Sequence, residues 1–89
     1  SLGEAYPNPF NPATNISYEL PKNEFVSINI YNLMGRHIKS LINMNQNPGY
    51  KTVEWNATND SNQPVSAGMY IYTIQAGEFI DTKKMILLK

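Results

Sequence analysis

The chain of 89 residues contains no cysteine, so neither a disulfide framework nor a thiolate metal site can support its fold. Seven Lys and Arg residues balance seven Asp and Glu residues, which argues against a surface that binds nucleic-acid phosphates. No apolar run approaches the roughly 20 residues of a membrane-spanning helix, and the first residues lack the basic and apolar regions of a signal peptide. These absences leave one small domain with a thin core, because folding at this size buries only roughly 60 to 65% of the unfolded chain's surface.

The sequence also lacks a set of residues suited to catalysis or to metal binding. His37 is the only histidine and has no carboxylate close to it in sequence, so we interpret it as a solvated strand residue. The acidic residues are dispersed, and no Gly-x-Ser-x-Gly elbow is present. Residues 56–62 carry many side-chain oxygens but only one carboxylate, Asp60, which favours an Asx-rich turn over a calcium loop. We therefore predict a non-catalytic domain without cofactor or metal.

Short segments rich in β-branched and aromatic residues are spaced about ten residues apart and separated by Pro, Gly, Asn and Asp. Alternation of apolar and polar residues predicts strands at 15–20, 25–31, 36–42, 50–56, 69–75 and 79–88. The alternation slips within 36–42, which indicates a bulge or an edge position. Residues 43–49 are predicted to be a polar loop. Whether a short strand forms near Val65 is left open. The pattern predicts an all-β fold, an immunoglobulin-like or fibronectin-like antiparallel β-sandwich of about seven strands.

The same alternation selects the side chains that face the core. The predicted inner row is Ile16, Tyr18, Val26, Ile28, Ile30, Trp55, Tyr70, Tyr72 and Ile74. Both alternate rows of the last strand are apolar, so periodicity leaves its buried face open. Among the aromatic residues, the pattern gives the weakest indication of burial for Tyr31 and Tyr50. A sugar-stacking platform is the alternative role for such side chains, although aromatic residues at alternate strand positions are more often core.

The first thirteen residues differ in composition from the remainder of the chain. Pro7, Pro9 and Pro12 fix φ and remove backbone donors, and they predict an extended, Pro-rich lead-in over residues 1–13, with the sandwich over residues 14–89. Whether Ser1-Leu2 is a cloning remnant is left open. Tyr6 and Phe10 are expected to dock on the sandwich, since their rings would otherwise be exposed apolar surface.

Seven short motifs, in order along nearly the whole chain, resemble the type A C-terminal sorting domain of the type IX secretion system. The motifs are Tyr6 to Pro12, Ile16-Ser17-Tyr18, Leu20-Pro21, Ile30 to Arg36, Trp55-Asn56, Gly68-Met69-Tyr70 and Thr82 to Lys89. One departure is Asn56-Ala57, where many members have Asp-Gly after the Trp. This departure further weakens an ion-binding role for the loop that follows.

The resemblance implies a fold and a function. It implies an immunoglobulin-like sandwich, related to domains of flagellar hook-capping proteins, at the C-terminus of an exported protein. Such a domain directs its cargo across the outer membrane and to surface anchoring. The implied partners are the outer-membrane translocon and a sortase-like attachment enzyme, with an unknown cargo domain joined upstream and no nucleic acid. The implied location is the cell surface or the medium, reached through the periplasm of a Gram-negative bacterium, and we expect the isolated domain to be monomeric.

The resemblance also implies which residues carry the signal. By position these are Gly68, Tyr70, Lys83, Lys84, Met85, Leu87 and Lys89. We expect the last strand to lie at a sheet edge, where main-chain groups and two solvated lysines can meet a receptor. The alternative function is a carbohydrate-binding or adhesion module of a secreted hydrolase. A dibasic strand at the end of the chain favours the sorting function, since an accessory module does not need one there.

Overall fold

The computed structural model describes residues 1–88, which form seven β-strands and no helix. The strands are β1 (Leu2–Tyr6), β2 (Thr14–Leu20), β3 (Glu24–Asn32), β4 (His37–Gln46), β5 (Gly49–Trp55), β6 (Gly68–Ala76) and β7 (Phe79–Leu87). They pair into a three-stranded sheet of order β1-β2-β5 and a four-stranded sheet of order β4-β3-β6-β7, and every pairing is antiparallel. Within residues 1–88, no helix has the length and apolar character of a membrane span. The predicted all-β sandwich is confirmed.

The core lies between the two sheets and is built from every second residue of most strands. All nine side chains of the predicted inner row are buried. The open question of the last strand is settled by its pairing with β6: Met85 lies opposite Tyr70 and shares its buried face. Leu87 is buried on the same side, whereas Ile86 and Leu88 point outward and are exposed. Successive strand residues point to opposite faces, so one buried residue shows which side chains of the strand point inward and which point outward.

Strand β4 is longer than the sequence pattern indicates. The loop predicted at 43–49 is wrong for residues 43–46, because these residues continue the ladder with β3 as far as the pair Glu24 and Gln46. Their polar composition conceals a strand that is held by backbone pairing at the sheet edge rather than by apolar burial. The predicted irregularity is confirmed, since the register shifts twice along β4 and the strand lies at an edge. No strand forms near Val65 within residues 1–88, where Thr58 and Pro64 make only an isolated bridge.

The segment predicted to be a lead-in contains strand β1, which pairs with β2 and places Leu2 and Ala5 in the core. The peptide bonds before the three prolines of this segment are cis. Docking of Phe10 is confirmed, since its side chain is only 1% exposed. Docking of Tyr6 is wrong, because its side chain is 79% exposed. Ala5 faces the core, so the next residue along the strand must face solvent.

Tyr72 ties the two sheets together through the core. Its hydroxyl accepts a hydrogen bond from the Ala5 backbone N–H at 2.8 Å and donates one to the Gly3 carbonyl at 3.0 Å. The side chain is fully buried. Burial raises the pKa of Tyr72 to about 12, because the phenolate loses its hydration, and the carboxylates of Glu4 and Asp81 act in the same direction. The neutral phenol therefore belongs to the folded state.

We expect Tyr72→Phe to lower the free energy of unfolding at pH 8 by about 1–3 kcal/mol, because the Ala5 N–H is left buried without an acceptor. The raised pKa gives a second effect. Stability from the neutral phenol is complete below the unfolded pKa of 10.0 and is lost as pH rises through about 12. Urea denaturation between pH 8 and 12 should therefore show a smaller alkaline loss for the variant than for the parent. Equal losses would contradict this assignment.

Candidate functional site

The topology of the four-stranded sheet brings separate sequence motifs to one end of the molecule. Because neighbouring strands are antiparallel, β3 and β7 end where β4 and β6 begin. Asn32 at the end of β3 lies opposite Tyr70, which in turn lies opposite Met85 of β7. We call this region, formed by residues 32–36, 68–70 and 84–88, the motif end. Motifs far apart in sequence thus form one continuous surface and one underlying core.

An aromatic cluster fills the interior of the motif end. The Trp55 ring lies between Phe10 and Tyr70, with ring centroids 5.7 Å and 5.1 Å away and both pairs inclined rather than stacked. Trp55 Nε1 donates a hydrogen bond to the Thr58 carbonyl at 2.8 Å, and the Tyr70 hydroxyl donates one to the Ser66 carbonyl at 2.6 Å. Burial raises the pKa of Tyr70. Every polar atom of these rings therefore has a partner, and the cluster is a structural unit.

The residues implied as recognition elements fall into two groups in the structure. Tyr70, Met85 and Leu87 are 5%, 0% and 1% exposed, so none offers a surface to a partner while the domain stays folded. Gly68 and Lys84 are exposed. Lys89 lies outside the described residues. Their role in recognition stays a prediction, and the buried group would act by shaping the surface rather than by contact.

Lys83 has an environment different from that of its neighbour Lys84. Its ammonium group lies 3.1 Å from Glu4 Oε2, and its side chain is only 27% exposed. The expectation that both lysines are solvated is therefore wrong for Lys83. Lys83 is on the inner side of β7, where it faces the nearby strand β1, whereas Lys84 is on the outer side opposite Ile71. Of these two lysines, Lys84 is the one whose charge lies on the outer face of the sheet.

Exposed apolar side chains lie on the same outer face as Lys84, towards the end of β7. Met69 and Ile86 lie opposite each other in the ladder and are 36% and 37% exposed, and Leu88 is 51% exposed. We call Met69, Lys84, Ile86 and Leu88 the motif-end patch. A groove beside it is lined in part by Leu33, Met34, Arg36 and Met69. Contiguous exposed apolar surface of this kind often marks an interaction site.

The outer edge of β7 is covered by the proline-rich segment. Asn8 Nδ2 donates to the Lys84 carbonyl at 3.3 Å, and the Ile86 N–H donates to Asn8 Oδ1 at 3.0 Å. The Phe10 N–H donates to the Ile86 carbonyl at 2.9 Å, and the Leu88 N–H donates to the Phe10 carbonyl at 2.8 Å. Phe10 and Leu87 form a parallel bridge. The last strand is an edge strand, as expected, but residues 8–10 already occupy part of that edge.

The opposite edge of the sheet is covered by the loop that the sequence suggests as an Asx-rich turn. The Asp60 N–H donates to the Ile38 carbonyl at 3.1 Å, and the Ser40 N–H donates to Asp60 Oδ1 at 3.0 Å. Asn59 Oδ1 accepts hydrogen bonds from two backbone N–H groups of the same loop, as an Asx turn requires. His37 is exposed, and its Nδ1 lies 3.6 Å from Asp60 Oδ2. Residues 1–88 contain no group of three or more His, Cys, Asp or Glu side chains that could hold a metal ion.

A family model described as "Secretion system C-terminal sorting domain" matches residues 4–88. No curated protein matches the sequence significantly. Among solved structures, the chain is similar to PorZ, described as an essential bacterial surface component of the type-IX secretion system of Porphyromonas gingivalis, with a TM-score of 0.69 and 18% identity. The match covers 97% of this chain but only 11% of the PorZ chain. The likeness therefore establishes a shared fold with a small part of a much longer protein.

Proposed function

This chain belongs to the secretion system C-terminal sorting domain family, and we propose that its motif end is the surface that the export machinery recognises. The domain is a sorting signal of the type IX secretion system, which delivers its carrier across the outer membrane to the cell surface or the medium. The finer assignment concerns the partners. The outer-membrane translocon binds the motif end, and a sortase-like enzyme acts on the carrier for surface anchoring. The domain itself is non-catalytic, because recognition requires only a folded and accessible surface.

The observation that supports this proposal best is the position of Lys84. It is an exposed cation on the outer sheet face that also carries the exposed apolar side chains of Met69, Ile86 and Leu88. Apolar residues supply buried area in an interface, while a charge at its rim supplies orientation and selectivity. The buried residues of the same motifs, Tyr70 and Met85, hold the strands that carry this patch. One end of the domain thus combines the recognition surface with its support.

The path of the chain also fits an address label fused to a cargo. Ser1 pairs with Glu19 at the end of the sandwich opposite the motif end, and β1 then runs towards Tyr6. A domain joined ahead of Ser1 would therefore attach at the far end. It would leave the motif-end patch accessible to a receptor.

The charge of Lys84 tests this proposal directly. We expect Lys84→Glu to lower the surface-exposed fraction of an upstream reporter by about tenfold, since a reversed charge meets a like charge on the receptor. The measurement is protease accessibility of the reporter on intact cells of a host that has the secretion system. Because Lys84 is exposed, the free energy of unfolding should change by no more than about 0.5 kcal/mol.

Lys22→Glu is the matched control, because Lys22 is also exposed but lies in the turn between β2 and β3, at the opposite end of the sandwich. It makes the same change in net charge and should leave export at the parental level. Circular dichroism of both purified variants confirms folding. A folded Lys84→Glu variant that reaches the surface as well as Lys22→Glu would remove Lys84 from the recognition surface.

A further inference from the structure

The cover on the outer edge of β7 has the form of an added strand. Residues 8–10 run parallel to β7, and Phe10 exchanges two backbone hydrogen bonds with it, at 2.9 Å with Ile86 and at 2.8 Å with Leu88. An uncovered edge presents unpaired N–H and C=O groups to which another strand can add. Many peptide-binding domains use such an edge for recognition. The geometry of β7 is therefore already that of a strand receiving a partner.

The cover is a weak strand by composition. Pro7 and Pro9 have no N–H group, so the residues on either side of Asn8 cannot donate to the ladder. Asn8 itself contacts β7 through its side-chain amide, which accepts from Ile86 and donates to the Lys84 carbonyl. Among residues 1–88, only Phe10 of the cover forms backbone hydrogen bonds with this edge. A continuous strand without proline could form backbone bonds at every second residue along the same edge.

The Phe10 ring is what anchors the cover. The side chain is 1% exposed, and its ring lies 5.7 Å from that of Trp55. Loss of such a side chain leaves a cavity, which the surrounding core fills only in part. Any segment that replaces the cover must therefore bring a large apolar side chain to the same place.

We propose that the outer edge of β7, from Lys84 to Leu88, is a strand-addition site that the Asn8–Phe10 cover keeps closed. Its ligand is an extended segment of the export machinery that runs parallel to β7 and places a large apolar side chain beside Trp55. This inference rests on the proposed function, and it specifies how the partner binds. The incoming side chain would refill the pocket that Phe10 leaves, so the exchange leaves no cavity beside Trp55.

The test uses Phe10→Ala, which empties the pocket, and a synthetic peptide with the sequence of residues 5–13 as the probe. We expect the peptide to raise the thermal midpoint of the variant by roughly 5–10 °C at saturation. The parent should not respond, since its own Phe10 competes at a high effective concentration. A peptide with Ala in place of Phe should have no effect on either protein. A folded Phe10→Ala variant whose melting ignores the peptide would overturn the proposal.

A milder variant covers the case in which Phe10→Ala does not fold. Asn8→Ala removes only the two side-chain bonds to β7. We expect amide hydrogen exchange at Leu88, whose N–H donates to the Phe10 carbonyl, to accelerate about tenfold, with no change in the ladder between β2 and β5. Asn11→Ala is the matched control, because Asn11 is an exposed asparagine of the same segment. Equal exchange at Leu88 in both variants would mean that Asn8 does not hold the cover, and the proposal would fail.

Both measurements use the purified chain alone, without cells or export machinery. A negative result therefore overturns the strand-addition site and leaves the sorting function standing. Failure of the sorting function would be seen separately, in the reporter assay with Lys84→Glu. The two proposals can thus fail independently.

Discussion

Trp55→Ala is expected to remove most of the domain's free energy of unfolding, leaving about 0–2 kcal/mol at room temperature. Trp55 is fully buried, its ring contacts Phe10 and Tyr70, and its Nε1 donates to the Thr58 carbonyl. Truncating a buried Trp costs about 3–5 kcal/mol. The total stability of a domain this small is of order 5 kcal/mol. Few other single truncations remove as much buried area from so thin a core.

Thermal unfolding followed by circular dichroism measures this effect. Phe25→Ala is a suitable control, because it also removes an aromatic ring but one that is 50% exposed at the opposite end of the sandwich. The control should melt close to the parent, while the thermal midpoint of Trp55→Ala should fall by about 12 °C or more. If Trp55→Ala melts within about two degrees of the parent, Trp55 does not organise the motif end as described.

Deletion of residues 84–89 is expected to abolish export of an upstream reporter. The deletion removes Met85 and Leu87 from the core and exposes the edge of β6 that β7 covers. Fold and recognition surface are then lost together, so the reporter should remain in the periplasm. Lys84→Glu separates the two causes, since it changes the surface and keeps the fold. Subcellular fractionation with equal expression levels checks the prediction, and surface display of the deletion variant would contradict it.

Much of the fold could be predicted from the sequence because most strands bury one face. Alternation with a period of two marks the inner residues directly, as along Val26, Ile28 and Ile30. Alternation of apolar residues does not identify a strand whose burial does not alternate. Residues 43–46 of β4 are polar except for the exposed Met44 and lie on an edge strand, and β1 is interrupted by a bulge between Leu2 and Ala5. Backbone hydrogen bonds hold both segments in their sheets. Such bonds leave no pattern in the sequence of side chains, so the sequence does not predict either segment as a strand.

The site could be predicted only as a set of separate motifs. That Tyr70 lies opposite Met85 depends on strand order and register, which a single sequence does not reveal. The pairing of Lys83 with Glu4 joins residues from different sheets, so local patterns gave no signal of it. The cover formed by Asn8 on β7 uses a side chain in place of a backbone group. The last two contacts link residues near opposite ends of the chain.

Membership of the sorting-domain family predicts that this domain directs export of the protein that carries it. The most direct measurement compares the surface-exposed fraction of a reporter carrying the intact domain in two hosts, one with the type IX secretion system and one in which it is disrupted. We predict surface display in the first host and retention in the periplasm in the second, with the reporter alone retained in both. Surface display without the secretion system, or equal display of the reporter without the domain, would contradict the account.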